Sequence, residues 1–185
     1  MFNSGGKKEG DGVTENKTKA VILMGHGSRV PGAGDGMEKV AEALRKSGTS
    51  GIVETCYMSR LGPHFPETLE RCVNAGAVEV ALIPYFLHLG LHTRLDIPEM
   101  MKEQAAKHPG VKVIFGEHLG YDDSIVEIVK KRIESSWGRD DVRDIRLEPR
   151  EKYPLPPGDM EFVPMSPCEA KRFKEKHDCG HGHHH

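Results

Sequence analysis

Ala20-Val21-Ile22-Leu23-Met24 is an unbroken apolar run, and it passes directly into Gly25-His26-Gly27-Ser28-Arg29. A short β-branched run bounded by glycine reads as a strand buried on both faces, the kind found inside parallel sheets. Three more runs share that texture, at residues 52–57, 78–83 and 111–115. Helical spacing fills the gaps. Met37, Val40, Ala41 and Leu44 follow the first run, and Leu69, Cys72 and Val73 the second. Ile125, Val129 and Ile133 follow the fourth, behind the N-cap candidates Asp122 and Asp123. Strand and helix alternating over four units predict an α/β fold, an open parallel four-stranded sheet with helices on both faces.

Outward from that block the composition changes. Residues 1–18 have almost no apolar content and are expected to be disordered. The α/β domain is expected over residues 19–137. Residues 138–176 read as a charged, extended arm with six prolines between Pro149 and Pro167. Residues 177–185 hold five of the chain's eleven histidines, with Cys179 among them, and read as a metal-binding-like tail. Purification tags also contain consecutive histidines, but the interspersed Asp178, Cys179, Gly180 and Gly182 favour a native tail that gathers metal.

Charge and composition exclude several function classes. The 26 Lys and Arg against 28 Asp and Glu give a net charge of -2, so no basic field attracts nucleic acid. No apolar run approaches the roughly 20 residues of a membrane span. Residues 1–19 lack the apolar core of a secretory signal, and the four cysteines are too scattered for a disulfide framework. A cytoplasmic protein is expected, whose 37% apolar residues suffice for one core if the polar excess lies at the ends.

In an open parallel sheet, ligands bind outside the carboxyl ends of the strands. His26 follows the first strand. His88 and His92 follow the third, in a run from Pro84 to Pro98, and Glu117-His118 follows the fourth. A single histidine there is ordinarily a solvated loop residue or a cap. Several on one sheet edge point instead to metal binding or proton transfer, both of which imidazole performs near neutral pH. His26 and His92 lead that set, ahead of His88 and His118. Asp96 is either a carboxylate that orients His92 or an N-cap for the helix that begins near Ile97-Pro98. Two other motifs fail: Val30 stands where the nucleophile elbow after Ser28 needs glycine, and no phosphate loop is present. Gly32, Gly34 and Gly36 lack dinucleotide-binding spacing and read as a flexible lead into the first helix.

Gly25-His26-Gly27-Ser28-Arg29, taken with Pro-x-Phe-Leu-x-x-Gly-x-His-x-x-x-Asp-Ile-Pro over residues 84–98, resembles the short class II chelatases of the CbiX type. These insert a divalent metal into sirohydrochlorin, and the resemblance covers residues 19–137. It implies that His26 and His92 are the catalytic, metal-holding residues. It also implies substrate contacts at Ser28, Arg29, Leu87, His88, Leu89, Gly90 and Leu91, with Asp96, Glu117 and His118 as accessories. The implied metal substrate is cobalt (Co2+), with iron (Fe2+) or nickel (Ni2+) as alternatives, and no organic cofactor is implied. The implied partners are sirohydrochlorin and a second copy of the chain, with neither nucleic acid nor membrane. One departure follows the second strand. Family members carry acids there, whereas Ser59 and Gly62 stand at the equivalent positions in Tyr57-Met58-Ser59-Arg60-Leu61-Gly62-Pro63. That change bears on the choice of metal and on substrate contact.

Imidazoles suit such a reaction because they bind cobalt, nickel or iron as neutral donors and accept protons once the metal leaves. Sirohydrochlorin is a polyanion, for which Ser28, Arg29, Arg94 and helix N-termini are candidate holders. A reading from another class is a non-catalytic metal carrier whose tail does the binding.

Overall fold

The computed structural model describes residues 19–60, 62–155, 168 and 172. Its four strands are β1 (Lys19–Gly25), β2 (Ile52–Tyr57), β3 (Glu79–Pro84) and β4 (Lys112–Phe115). They pair in parallel in the order β2-β1-β3-β4, as an α/β fold requires. Each lies within a residue of the expected run, because buried apolar runs between turns leave the chain little choice.

The connecting helices are α1 (Asp35–Ser47), α2 (Phe65–Asn74), α3 (Ile97–Ala106) and α4 (Asp123–Ser136). From β1 the chain moves outward to β2, then back across β1 to β3 and on to β4. Right-handed crossovers therefore set α1 on one face and α2 and α3 on the other. On the first face Met37 and Ala41 of α1 pack on Leu23 and Val53. On the second, Phe65, Leu69, Cys72, Ile97 and Met101 close over Ile22, Met24, Val80 and Leu82. Cys56 and Cys72 are both fully buried there. Burial pushes the Cys56 thiol up to about 12 and the Cys72 thiol to about 11.

The last helix departs from expectation. Asp122 caps α4 by accepting the Ser124 N–H at 2.9 Å, as its sequence suggests. The Ile125, Val129, Ile133 stripe, however, does not enter the core. No residue of α4 is buried, Val129 and Ile133 are about half exposed, and Trp137 beyond them is 84% exposed. Periodicity reports that a helix has an apolar face; it does not report that the same chain covers it. Val40 of α1 is likewise exposed, at the edge of its helix stripe.

Residues 138–147 are exposed and contain one short 3-10 turn, Val142–Asp144, started by Asp141. A boundary between compact units falls between Leu147 and Glu148, and the second unit contains the 3-10 turn Arg150–Lys152. The N-terminal segment 1–18 and the tail 177–185 lie outside the described residues. Among those described, no helix is long and apolar enough to cross a membrane.

Candidate functional site

Strand order reverses between β1 and β3, so a crevice opens at their carboxyl ends. β1 delivers His26 there, one residue past Gly25. The loop after β3 brings His92 to the same place, with the two ring centroids 6.2 Å apart and the planes edge-on at 71°. Both side chains are exposed and open to a ligand. Gly27 makes this corner possible. Its φ is +91°, and a Cβ added there would lie 1.9 Å from the Ser59 carbonyl oxygen, so only glycine fits.

His92 opens a π-helical turn, His92–Asp96, that runs straight into α3. The Ile97 N–H donates to the His92 carbonyl across five residues. Pro98 supplies the physical reason: it has no N–H for the Arg94 carbonyl, and its ring crowds that position, so the helix widens by one residue. The turn is anchored by buried Thr93, whose hydroxyl oxygen accepts the Gly90 N–H at 3.0 Å. It also sets Asp96 beneath His92, with Nδ1 and Oδ2 2.6 Å apart. The Asp96 side chain makes no capping bond, so of its two sequence-level roles it takes the orienting one. With Nδ1–H donated to the carboxylate, Nε2 is the ring atom left to meet a metal or a proton.

A cavity of about 220 Å³ beside His26 is lined also by Ser28, Gly34, Met37, Tyr57, Tyr85 and Phe86. A larger one of about 390 Å³ adjoins it, sharing Ser28, Ala33, Gly34 and Tyr57, and reaches Asp35, Glu38 and Thr55. Of these two cavities, the smaller is the one lined by a candidate histidine, His26. Tyr57 stands between them, and a Cβ on Gly34 would meet its hydroxyl at 1.9 Å. Gly34 is the N-cap residue of α1 and packs against that phenol, whereas a Cβ on Gly36 would meet nothing within 4 Å. Burial first, then the Glu38 and Asp35 carboxylates, push the Tyr57 phenol above its ordinary range. Glu38 accepts from Arg45 at 2.7 Å and from Thr55 at 2.9 Å, and the Arg45 bond holds its carboxyl below the usual value.

The other candidate residues fall into three groups. Leu87, Leu89 and Leu91, with Leu95, are all more than half exposed and form an apolar lip after β3. Ser28 accepts the Val30 N–H at 3.0 Å in a local turn, beside half-buried Arg29, while Arg94 is exposed. His88, Glu117 and His118 are on the same sheet edge, but no hydrogen bond or ring contact ties them to the His26–His92 pair. Among the described residues, no three His, Cys, Asp or Glu side chains converge on a metal-sized site. His64 is structural: its N–H donates to Glu67 at 3.2 Å and its carbonyl accepts the Thr68 N–H at the start of α2. Ser59 was legible only as a missing acid. In the fold its hydroxyl donates to the His26 carbonyl at 2.9 Å, a contact that only the register of β1 on β2 would have foretold.

A family model described as CbiX matches residues 20–136. A sirohydrochlorin ferrochelatase of Priestia megaterium is 33% identical over 114 residues, which cover 62% of this chain and 43% of that protein. A sirohydrochlorin cobaltochelatase of Methanopyrus kandleri is 29% identical over 141 residues, covering 65% of this chain and 99% of that protein. Among solved structures, the sirohydrochlorin chelatase of Bacillus subtilis subspecies spizizenii in complex with cobalt superposes with a TM-score of 0.60 at 27% identity. That match covers 64% of this chain and 50% of the solved one. The chain thus spans less than half of the Priestia relative and nearly all of the Methanopyrus one.

Proposed function

The chain belongs to the CbiX family, and from that premise we propose that it is a cytoplasmic sirohydrochlorin chelatase whose metal substrate is cobalt. The observation that carries the reading is the His26–His92 pair at the crevice, with Asp96 bound to His92. Two neutral imidazoles hold a divalent ion firmly enough to strip part of its water and loosely enough to release it. The macrocycle lies over the leucine lip. Its carboxylates meet Ser28, Arg29 and Arg94, since a chain of net charge -2 offers a polyanion no general attraction. As the ion passes to the four ring nitrogens, its bonds to the two imidazoles break and two pyrrole protons are released. Each freed imidazole nitrogen accepts one, and both protons then pass to water. Asp96 stabilises the imidazolium formed at His92.

Cobalt is favoured over iron or nickel because the relative matched along nearly its whole length is named a cobaltochelatase. Iron is the second reading, because the Priestia relative is named a ferrochelatase. A homodimer is part of the proposal. The matched region covers 43% of the Priestia relative, and α4 carries an apolar stripe left uncovered among the described residues, a face suited to pairing with a second copy.

Anaerobic incubation with sirohydrochlorin and Co2+, Fe2+ or Ni2+ tests the reading through the loss of the free-ring spectrum. The expected initial rate is highest with cobalt, and His26→Ala and His92→Ala each lower it by about 100-fold or more. Normal turnover in the double variant overturns the site. Deleting residues 177–185 separates the enzyme from a carrier: the truncated chelatase still turns over when metal is plentiful.

A further inference from the structure

We propose that Ser59 is a positioning residue for His26. The inference rests on the metal-transfer reading above. The two imidazoles are held in different ways. His92 is fixed through its ring by Asp96. His26 has no such partner, and its Nδ1 approaches only the carbonyl of adjacent Gly27, at 3.3 Å. Its ring meets the edge of the His92 ring but has no side-chain hydrogen bond to hold it, so its aim depends on where the backbone places its Cβ.

That backbone is gripped by Ser59. The His26 carbonyl accepts two hydrogen bonds from this one residue, from the backbone N–H at 3.1 Å and from the hydroxyl at 2.9 Å. The Met58 N–H donates to the Gly25 carbonyl at 2.9 Å, so the β1–β2 ladder continues past both strand ends. On the far side of the same peptide, the Ser59 carbonyl occupies the space where a side chain on Gly27 would stand. Arg60, at φ +73°, turns the chain away immediately afterwards. A single N–H fixes the distance of a carbonyl, and a second donor restrains its rotation. The carbonyl and Cβ of His26 branch from one Cα, so restraining the first fixes the direction in which Cβ leaves the backbone and narrows the region the imidazole can reach.

The test compares full-length wild type, Ser59→Ala and Ser59→Thr. It uses steady-state metallation of sirohydrochlorin by Co2+, titration with Co2+ alone followed by visible absorption, and thermal unfolding. In Ser59→Ala, kcat is expected to fall by about 3- to 10-fold with KM for the macrocycle unchanged. Co2+ binding weakens by a similar factor with an altered absorption band, while Tm stays close to wild type. Ser59→Thr, which keeps the hydroxyl, restores both. Wild-type kcat and Co2+ binding in Ser59→Ala overturn the proposal. So does a Thr variant as impaired as the Ala one, or a loss that follows Tm alone. If wild type fails to metallate the ring, the functional reading falls, while the Co2+ titration still decides the role of Ser59.

Discussion

Asp96 is joined to His92 by one helical turn and one hydrogen bond, and that bond leaves Nε2 as the ring atom open to a ligand. Asp96→Asn keeps the shape but removes the charge and can present an amide N–H to the ring, favouring the wrong tautomer. A fall in kcat of about 10- to 100-fold is expected, with KM for the macrocycle unchanged, measured by steady-state metallation with Co2+. Unchanged kcat would remove Asp96 from the mechanism. His26 and His92 were legible because each sits in a recognisable motif at a strand end. The role of Asp96 was only half legible, since a carboxylate four residues after a histidine and just before a helix suits either orientation or capping. Ser59 was illegible as a partner, because 33 residues separate it from His26 and only the parallel register joins them.

The elements that frame the crevice make two further predictions. Gly34 at the start of α1 lies against the Tyr57 hydroxyl at the end of β2, so Gly34→Ala forces the phenol aside. The expected cost is about 1–3 kcal/mol in thermal or denaturant unfolding. Adding Tyr57→Phe recovers part of it, because the hydroxyl is the closest obstacle. Glu38 ties α1 to β2 through Thr55 and to its own helix through Arg45. Its folded carboxyl titrates below the ordinary 4.5, so the stability it lends is fully present above that pH and is lost as pH falls through the folded value. The Tm difference between wild type and Glu38→Gln should therefore be constant near neutrality and shrink in acid below pH 4.5. A difference independent of pH would sink the assignment. Element type was legible throughout, since buried strands and helix stripes announce themselves. The π-helical turn was not: Pro98 marks a disturbed helix start, but not whether the helix breaks, tightens or widens.

At the scale of the whole molecule, α4 exposes Val126, Val129, Ile133 and, just beyond it, Trp137 with no covering among the described residues. If a second copy covers them, Ile133→Glu is expected to shift sedimentation from dimer to monomer while leaving the far-ultraviolet spectrum intact. A monomeric wild type at micromolar concentration would overturn the dimer. The sequence revealed the stripe but not its partner, because an apolar face reads the same whether its own sheet or another chain buries it. The two core thiols carry a different consequence. Cobalt, nickel and iron all bind thiolate sulfur strongly, and a protein that must give its ion away is poisoned by any site that keeps it. Cys56 and Cys72 are the sole cysteines of residues 19–155, both sealed from solvent and held protonated by burial. Across that stretch the folded chain therefore presents no thiolate trap, which suits the proposed transfer of a metal held by imidazole nitrogen.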